Sequence, residues 1–318
     1  MRDHFTKYFF DAAKINKKVR LIAADISPAG NFGVFAKKFP DRFINIGVAE
    51  TSMISLCAGM AMSGLKPFAY TIATFALYRP FEMIRNDICY QNLPVTVVGM
   101  GSGTIYSNLG ATHMSQEDIS VARSIPNMQV ISLCDNLEIK DCLNFLINKS
   151  KKPTYLRIGK SGEPLLTDKA REKWKFGKIR KIKNGSEICF IGYGPVLKIF
   201  MDMSELLKKR KIFCAVYNAH TLKPFDYKRL SKIFKKYEHI FSIEDHSIIG
   251  GLQSIIKEHA YVSNYKGKFF GFSLKDSFIK CYGSQADLLD LHGISKKTIL
   301  KKILTEIKKN SRNVNIDY

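Results

Sequence analysis

The sequence of 318 residues lacks several features that mark membrane and secreted proteins. Its apolar runs stay below the roughly 18 residues that a membrane-spanning helix requires, and the longest, 53–65, is interrupted by Ser and Gly. The N-terminal segment mixes charged and aromatic side chains and has no small-residue cleavage site, which argues against a secretory signal. These absences predict a cytoplasmic protein.

Paired cysteines are also lacking. The seven cysteines are widely spread and form no C-x-x-C pair, whereas a zinc site or a disulfide framework needs closer grouping. We expect reduced, small apolar core residues, and we predict no metal ligands in this chain.

Acidic residues are scarce, because 28 Asp and Glu stand against 50 Lys and Arg, for a formal charge of +22. Nucleic-acid-binding proteins concentrate basic residues in one stripe or tail. Here most occur as scattered pairs, and the one cluster, 208–211, is typical of a solvated helix end. The charge favours anionic substrates or an acidic partner subunit. Nucleic-acid binding rests on charge alone and predicts a steep salt dependence of association.

Short apolar segments alternate with longer helical patterns along the whole chain. Strand-like runs occupy 20–24, 43–46, 68–72, 95–99, 129–133, 154–158, 187–191, 212–217, 239–243 and 269–272. Helical patterns lie near 4–15, 50–63, 79–90, 117–123, 136–148, 196–209, 226–236, 251–260 and 295–309. Such alternation is typical of parallel sheets covered on both faces. We predict an α/β fold of two three-layer αβα domains: a parallel-sheet domain over 1–165, a polar, strand-poor linker over 166–186, and a smaller, mostly parallel domain over 187–318.

One segment places an acidic residue where parallel sheets usually bind ligands. In 42–53, RFINIGVAETSM, a strand runs into Gly47 and a helix of small and apolar residues begins at once. Glu50 therefore falls at a helix start beside the carboxyl edge of the sheet. Taken alone, such an acid is more simply a residue that stabilises a helix N-terminus.

Several motifs that occur in order make a more specific pattern. They are DRFINIGVAE (41–50), CAGMA (57–61), TFALYRPF (74–81), NLPV (92–95), GATH (110–113), QEDI (116–119) and SIPNMQV (124–130). In order and spacing, residues 1–160 resemble the pyrimidine-binding domain of transketolase-like thiamine diphosphate enzymes. TLKPFD (221–226) and EDHSIIGG (244–251) resemble the C-terminal domain of that family. The resemblance covers nearly the whole chain.

The resemblance implies thiamine diphosphate as cofactor and a catalytic role for Glu50. In the family, a carboxylic acid bonds the N1' atom of the aminopyrimidine and promotes the tautomer that activates the cofactor. A charge-assisted hydrogen bond of this kind in a dry cleft contributes about 1.5–3 kcal/mol.

An aromatic trio lies nearby in the sequence. The spacing of Phe75, Tyr78 and Phe81 puts them on one face of a turn or helix start, which is also common for core residues. The resemblance implies that these residues and Ile26 bind the cofactor, with Tyr78 stacking on the aminopyrimidine ring. We expect Phe81 to belong partly to the core.

A lone histidine is more often structural than catalytic. The resemblance nevertheless implies that His113, in GATH, faces the reacting carbons, binds substrate and stabilises charge on oxygen. Glu117 and Asp118 are interpreted more simply as acids of a helix's first turn.

Phosphate recognition departs from the family pattern. Arg2 and Arg157 match the two arginines that hold a sugar phosphate, with plain surface cations as the alternative interpretation. However, Ala29 replaces a Ser, Gly101 stands where a His falls, and Leu109 replaces an acid that binds a substrate hydroxyl. Losing hydrogen-bonding partners weakens discrimination between substrates. These departures favour an unusual acceptor, with a nucleotide-linked sugar among the options, over a common pentose phosphate.

The sequence contains no GDG motif, which in the family anchors the diphosphate through Mg²⁺ or Ca²⁺ in a separate domain. The resemblance then implies a split enzyme. This chain would be the C-terminal subunit, and a separate N-terminal subunit would carry the metal and diphosphate site. We expect homodimerisation within a two-plus-two heterotetramer, since closed two-fold assembly is the usual arrangement.

Four interpretations stay open besides nucleic-acid binding. The leading one is transfer of a two-carbon ketol unit from a ketose to an aldose. Deoxyxylulose-phosphate-synthase-like condensation and a beta-type subunit of a 2-oxoacid dehydrogenase are enzymatic alternatives, although GATH and NLPV favour a transketolase over the latter. The fourth is a non-catalytic assembly paralogue, which the missing phosphate contacts favour and the presence of Glu50, Tyr78 and His113 opposes.

Two glycine-containing turns resemble ligand loops but are interpreted as packing features. GYGP (192–195) lacks the complete glycine fingerprint of a dinucleotide site, and its Pro suits the first position of a helix. The glycine pair 250–251, after EDH (244–246), is interpreted as a tight turn used in dimer packing. Neither segment is predicted to be catalytic.

Overall fold

The computed structural model describes residues 1–26 and 31–313 and alternates strands with helices, as the apolar periodicity predicts. Its strands are β1 (Val19–Ala23), β2 (Phe43–Asn45), β3 (Lys66–Ile72), β4 (Thr96–Met100), β5 (Gln129–Ser132), β6 (Thr154–Ile158), β7 (Arg180–Lys183), β8 (Ile188–Gly192), β9 (Cys214–Asn218), β10 (Thr221–Lys223), β11 (His239–Ser247) and β12 (Lys268–Leu274). Most are short, apolar and buried, which suits strands covered on both faces.

Helices precede, separate and follow these strands. They are α1 (Arg2–Ile15), α2 (Asn31–Lys38), α3 (Glu50–Met62), α4 (Ala73–Leu77), α5 (Phe81–Met83), α6 (Asp118–Ser124), α7 (Glu138–Asn148), α8 (Leu197–Lys208), α9 (Tyr227–Lys236), α10 (Leu252–Val262), α11 (Gln285–Leu291) and α12 (Lys296–Asn313). A π-helical segment, Ile84–Tyr90, continues α5, and short 3-10 turns occur at Pro40–Arg42 and Ser107–Leu109. Among the described residues, no helix combines the length and the apolar character needed to cross a bilayer.

Two mostly parallel sheets organise the molecule. The seven-stranded sheet has the order β10-β5-β6-β4-β3-β1-β2, and the five-stranded sheet has the order β12-β11-β8-β9-β7. Among the described strands, every pairing is parallel except β10 with β5 and β7 with β9. Because parallel strands end at the same edge, the loops after β1, β2, β3, β4 and β6 are neighbours. The predicted α/β class with two domains is confirmed.

Two short strands depart from the predicted pattern. The linker was expected to be strand-poor, but β7 lies inside 166–186 and forms an edge of the second sheet. Trp174 of the same segment is 8% exposed and stacks on His220 with ring centroids 4.9 Å apart. β10, from the second half of the chain, joins the first sheet. The two domains are therefore interlocked through the segment after residue 166, and their exact boundaries stay a prediction.

Three apolar layers hold the sheets. One packs α1 and α7 against the first sheet, one lies between the two sheets and runs continuously from α3 to α10, and one packs α8 and α12 on the outer face of the second sheet. The continuous middle layer fixes the two sheets relative to each other, so that loops from both domains meet near the carboxyl edge of β4 and β6.

Candidate active site

Glu50 lies at the carboxyl edge of the first sheet, as the first residue of α3. It is 5% exposed, and its Oε1 accepts a hydrogen bond from Nη1 of Arg79 at 2.7 Å. A carboxylate this buried needs a charged or hydrogen-bonding partner. Arg79, whose side chain is 47% exposed, supplies that partner from the solvent side.

The same guanidinium lies over an aromatic ring. Cζ of Arg79 is 4.2 Å from the ring centroid of Phe75, within the range of a cation–π contact. Phe75 in turn meets the imidazole of His113 edge to face, with ring centroids 5.2 Å apart. The structure thus brings together three residues that the sequence pattern assigns to one site: Glu50, Phe75 and His113.

His113 lies in the long loop between β4 and α6. Its ring is half-buried, and its Nδ1 is 2.9 Å from Oγ1 of Thr112. The ring of Tyr106 lies 6.4 Å away between centroids. Tyr106 also accounts for Gly101: this glycine has a φ of +68°, and a Cβ atom there would overlap the Tyr106 ring. The aromatic ring therefore fills the space next to the position where the family places a histidine.

Two cationic residues flank Tyr106. Nζ of Lys160 is 4.8 Å from the Tyr106 ring centroid, and the backbone N–H of Arg2 donates to the carbonyl of Lys160 at 3.0 Å. Burial raises the pKa of Tyr106, and the nearby charge of Arg2 opposes that shift. Arg2 and Lys160 therefore place positive charge beside the Tyr106–His113 ring pair.

Arg157 has a different environment from the one expected. It is 3% exposed, so the alternative interpretation as a surface cation is wrong. Its Nε donates to Oδ2 of Asp118 at 2.8 Å, and its Nη2 donates to the carbonyl of Asp245 at 2.7 Å. These partners hold the guanidinium in the junction between the domains instead of an open cleft. Asp118 is accordingly more than an acid of a helix's first turn.

Tyr78 is anchored through its hydroxyl. The O–H donates to Oε2 of Glu117 at 3.0 Å and accepts the Glu117 backbone N–H at 3.2 Å. Burial raises the pKa of Tyr78 and that of Glu117. Glu117 therefore fixes the ring of Tyr78, in addition to its place before the first turn of α6.

The remaining predicted residues occupy varied positions. Phe81 is 36% exposed, so it lies at the boundary between surface and interior, and its partial membership of the core stays a prediction. Ile26 follows β1 at the same sheet edge and packs half-buried against the apolar layer under α1. Ala29, predicted to replace a phosphate-binding Ser, lies outside the described residues.

Exposed apolar side chains surround this group of residues. Val48, two residues before Glu50, is 64% exposed, and Leu109, in the His113 loop, is 44% exposed. Tyr282 is 74% exposed, and its ring lies next to Gly110. Large apolar side chains that cluster at a surface mark interaction sites. Val48 and Leu109 therefore leave apolar surface exposed next to Glu50 and in the His113 loop.

Sequence reasoning missed three residues of the site. Arg79 stands between Tyr78 and Pro80 and looks like a solvated cation, and Tyr106 lies in a loop without periodicity. Lys160 lies three residues after Arg157, just past the end of β6. Its place at the carboxyl end of a parallel strand was the signal that could have identified it as a site residue.

Both halves of the chain match known domain families. Residues 1–163 match the transketolase pyrimidine binding domain, and residues 177–299 match the transketolase C-terminal domain. The chain belongs to the transketolase family. The predicted resemblance is confirmed, and the second match begins inside the segment predicted as a linker.

Among curated relatives of this transketolase-family chain is a putative transketolase C-terminal section from Methanocaldococcus jannaschii, 32% identical, with 97% of this chain and 96% of the relative covered. One of the subunits of an apulose-4-phosphate transketolase from Phocaeicola vulgatus is 27% identical, and 97% of each chain is covered. A 1-deoxy-D-xylulose-5-phosphate synthase from Natranaerobius thermophilus is 30% identical over 96% of this chain but only 48% of its own length.

A solved structure supports the same relation. The chain superimposes on a split-gene transketolase, described as an inactive β4 tetramer, with a TM-score of 0.85 and 28% identity. The match covers 96% of this chain and 97% of the other. This transketolase-family chain therefore has the size and fold of a split-transketolase subunit.

Proposed function

We propose that this chain is the C-terminal subunit of a two-component, thiamine diphosphate-dependent transketolase that transfers a two-carbon ketol unit from a ketose to an aldose. The observation that carries the proposal is the convergence of Glu50, the Phe75 ring and His113 at the carboxyl edge of the first sheet. The family and its split-gene relatives support the same interpretation.

The residues present fit the aminopyrimidine part of the cofactor. Glu50 and Phe75 already hold a planar, N–H-bearing cation, the guanidinium of Arg79, by one hydrogen bond and one ring contact. An aminopyrimidine is also planar and also presents nitrogen atoms to a carboxyl group and a π face to an aromatic ring. Glu50 and Phe75 would hold that ring, with Tyr78, Phe81 and Ile26 as further proposed contacts.

Bound thiamine diphosphate would supply the nucleophilic carbon that ketol transfer requires. Glu50 holds and exchanges a proton at its carboxyl oxygen, in a position from which water is largely excluded. The imidazole of His113 orients substrate and donates to an oxygen on which charge develops. The Phe75 ring contacts both Arg79 and His113 and so lies between the guanidinium and the imidazole.

For the substrate we propose Arg2 and Lys160 as the cationic contacts. Both flank Tyr106 beside His113, whereas Arg157 is bound to Asp118 and the Asp245 carbonyl. Arg157, predicted to touch substrate phosphate, is therefore assigned to the support of the site. The side chains of Gly101 and Leu109 offer the substrate no hydrogen bond. This favours an acceptor other than a common pentose phosphate, and a nucleotide-linked sugar is one such acceptor.

We further propose that the site is completed by a separate N-terminal subunit, which would bind the diphosphate and its Mg²⁺ or Ca²⁺, in a two-plus-two heterotetramer. The exposed apolar residues around Glu50 and His113 provide a surface for such a contact. The relative from Phocaeicola vulgatus, which is named as one subunit of its transketolase, and the split-gene tetramer support it.

The test is an assay of the reconstituted pair, with fructose 6-phosphate or hydroxypyruvate as donor and a panel of aldehydes as acceptors. We expect ketol transfer by the pair and none by this chain alone. Condensation from pyruvate with release of CO₂ would favour the deoxyxylulose-phosphate-synthase alternative, to which relatives of that name point. Inactivity of the pair with every donor would contradict both enzymatic proposals, and full activity of this chain alone would contradict the split arrangement.

A further inference from the structure

The loop that carries His113 is closed at its base. Gly103 and Ser115 pair in antiparallel fashion: the Ser115 N–H donates to the Gly103 carbonyl at 3.0 Å, and the Gly103 N–H donates to Oγ of Ser115 at 2.9 Å. Residues 104–114, with His113 near the end, form the excursion between these two points. The position of the imidazole therefore depends on how firmly the base is held.

One carboxylate from the second domain holds the first side of this base. Asp245, in β11, accepts hydrogen bonds from the backbone N–H of Thr104 at 3.0 Å and from its Oγ1 at 2.9 Å. Nε2 of Gln285 donates to the same carboxylate at 3.0 Å. Gly103 has a φ of +67°, and a Cβ atom there would overlap the Asp245 carboxylate, so the approach needs a glycine.

A second carboxylate holds the other side. Asp118 accepts hydrogen bonds from Oγ of Ser115 at 3.2 Å, from the hydroxyl of Tyr155 at 2.8 Å and from Arg157 at 2.8 Å. Arg157 reaches from Asp118 to the backbone carbonyl of Asp245. One buried arginine thus connects the two residues that fix the two sides of the loop.

His246, the residue after Asp245, forms a further contact between the second domain and α6. The backbone N–H of Ser120, in α6, donates to Nε2 of His246 at 3.2 Å, and Nδ1 of His246 donates to the Ser247 carbonyl at 2.8 Å. Burial lowers the pKa of His246 to about 4, which agrees with a neutral ring that accepts at Nε2. The segment 245–247 of the second domain is therefore attached to both ends of the His113 loop region.

We propose that Asp245 is a positioning residue for His113, through which the second domain sets the geometry of the site. It does not touch substrate. It fixes Thr104 and thereby the base of the loop, while Arg157 and Asp118 fix Ser115. The inference rests on the proposed function only in so far as the imidazole acts on substrate.

The test compares Asp245→Asn, Thr104→Val and Thr104→Ser in the full chain. Asp245→Asn replaces one acceptor oxygen by an amide group, and Thr104→Val removes only the hydroxyl. Amide hydrogen exchange of residues 104–114 should accelerate about tenfold in both variants. The imidazole NMR signals of His113, identified by their loss in His113→Asn, should shift. Thr104→Ser should retain wild-type exchange and signals.

Glu244→Gln is the matched control. Glu244 neighbours Asp245 in β11 and is buried, but its carboxylate accepts from Tyr193 and from the start of α10, away from the loop. A folded Glu244→Gln variant should show wild-type exchange in 104–114. In the reconstituted enzyme, kcat should fall about tenfold in Asp245→Asn and Thr104→Val, with a smaller change in KM, and recover in Thr104→Ser.

The proposal would be overturned if Thr104→Val and Asp245→Asn, each as a single variant, both showed wild-type amide exchange and unshifted His113 signals. Should Asp245→Asn fail to fold, Thr104→Val decides alone. Equal loop exchange in Glu244→Gln would also overturn it, because the effect would then be general loosening of the domain. The exchange and NMR results do not need turnover, so an inactive wild-type pair would count against the proposed function and leave this inference standing on its own data.

Discussion

Two arginine–carboxylate pairs in this molecule have almost the same geometry and opposite surroundings. Arg79 bonds Glu50 at 2.7 Å, with side chains 47% and 5% exposed. Arg157 bonds Asp118 at 2.8 Å, with side chains 3% and 0% exposed. The distance alone does not distinguish the pairs, but the access of water to the arginine does.

The exposure of the arginine distinguishes a pair that can change partners from a pair that only stabilises the fold. An arginine that is open to water can be solvated again or replaced by another partner, so its ion pair contributes less net stability than a fully buried one. A fully buried pair cannot lose one member without leaving a bare charge in the interior. Arg79 can therefore give way to another ligand of Glu50, whereas Arg157 is committed to the junction beneath the His113 loop.

The largest effect is expected for Arg157→Met, which breaks the buried pair. Asp118 would keep the hydroxyls of Tyr155 and Ser115 but lose its counter-charge. We expect the free energy of unfolding to fall by about 3–5 kcal/mol. Urea denaturation of the full chain measures this, and a loss close to that of Arg79→Met would contradict the distinction between the buried and the half-exposed arginine.

A pH effect of intermediate size should come from Glu244, next to Asp245. Burial raises the pKa of Glu244 to about 7, against backbone hydrogen bonds that lower it. Because the folded-state pKa exceeds the unfolded one, the stabilising contribution is complete below the unfolded pKa and is lost as pH rises through about 7. Between pH 5 and 8, the free energy of unfolding should fall less in Glu244→Gln than in wild type, by up to about 3 kcal/mol. Parallel stability profiles for wild type and variant would contradict this assignment.

The smallest effect is expected for Arg79→Met. Because Arg79 is half exposed whereas Glu50 is buried, the free energy of unfolding should fall by about 1 kcal/mol, at the upper end of the range for surface pairs and well below the effect of Arg157→Met. Since Arg79 competes for Glu50 and the Phe75 face, thiamine diphosphate should bind the reconstituted variant at least as tightly as wild type, as titration calorimetry would show. Arg85→Met is the control, because Arg85 is an exposed arginine bonded to Asn86 only a few residues away. A large loss of cofactor affinity confined to Arg79→Met would make Arg79 a holding group instead of a displaceable one.

The alternation of apolar strands and helices made the class of fold predictable from the sequence. Each of the ten short apolar segments predicted as strands overlaps a strand of the structure. β7 and β10 escaped prediction because they are three or four residues long, contain lysine, and are stabilised by pairing with β9 and β5 far along the chain. Periodicity reports local patterns and carries no information on such distant pairing.

The site residues that lie in family motifs could be predicted from the sequence. Glu50, Phe75 and His113 stand in motifs of the family and do meet in space. The partners of Arg157 could not be read from the sequence, because Asp118 is 39 residues away and Asp245 is 88 residues away. Arg79 and Lys160 resemble the many other cations of a chain with a charge of +22, and only their neighbours distinguish them.

The Glu50 carboxyl group is proposed to act on the cofactor at a site that another subunit completes. The most direct measurement is the turnover of Glu50→Gln in the reconstituted enzyme, with circular dichroism and thermal unfolding of the variant chain recorded in parallel. Glutamine keeps the shape but cannot exchange the proton, so we expect a native fold and a turnover lower by roughly 10²–10⁴-fold. A folded Glu50→Gln variant that turns over at the wild-type rate would show that this carboxyl group has no part in the reaction.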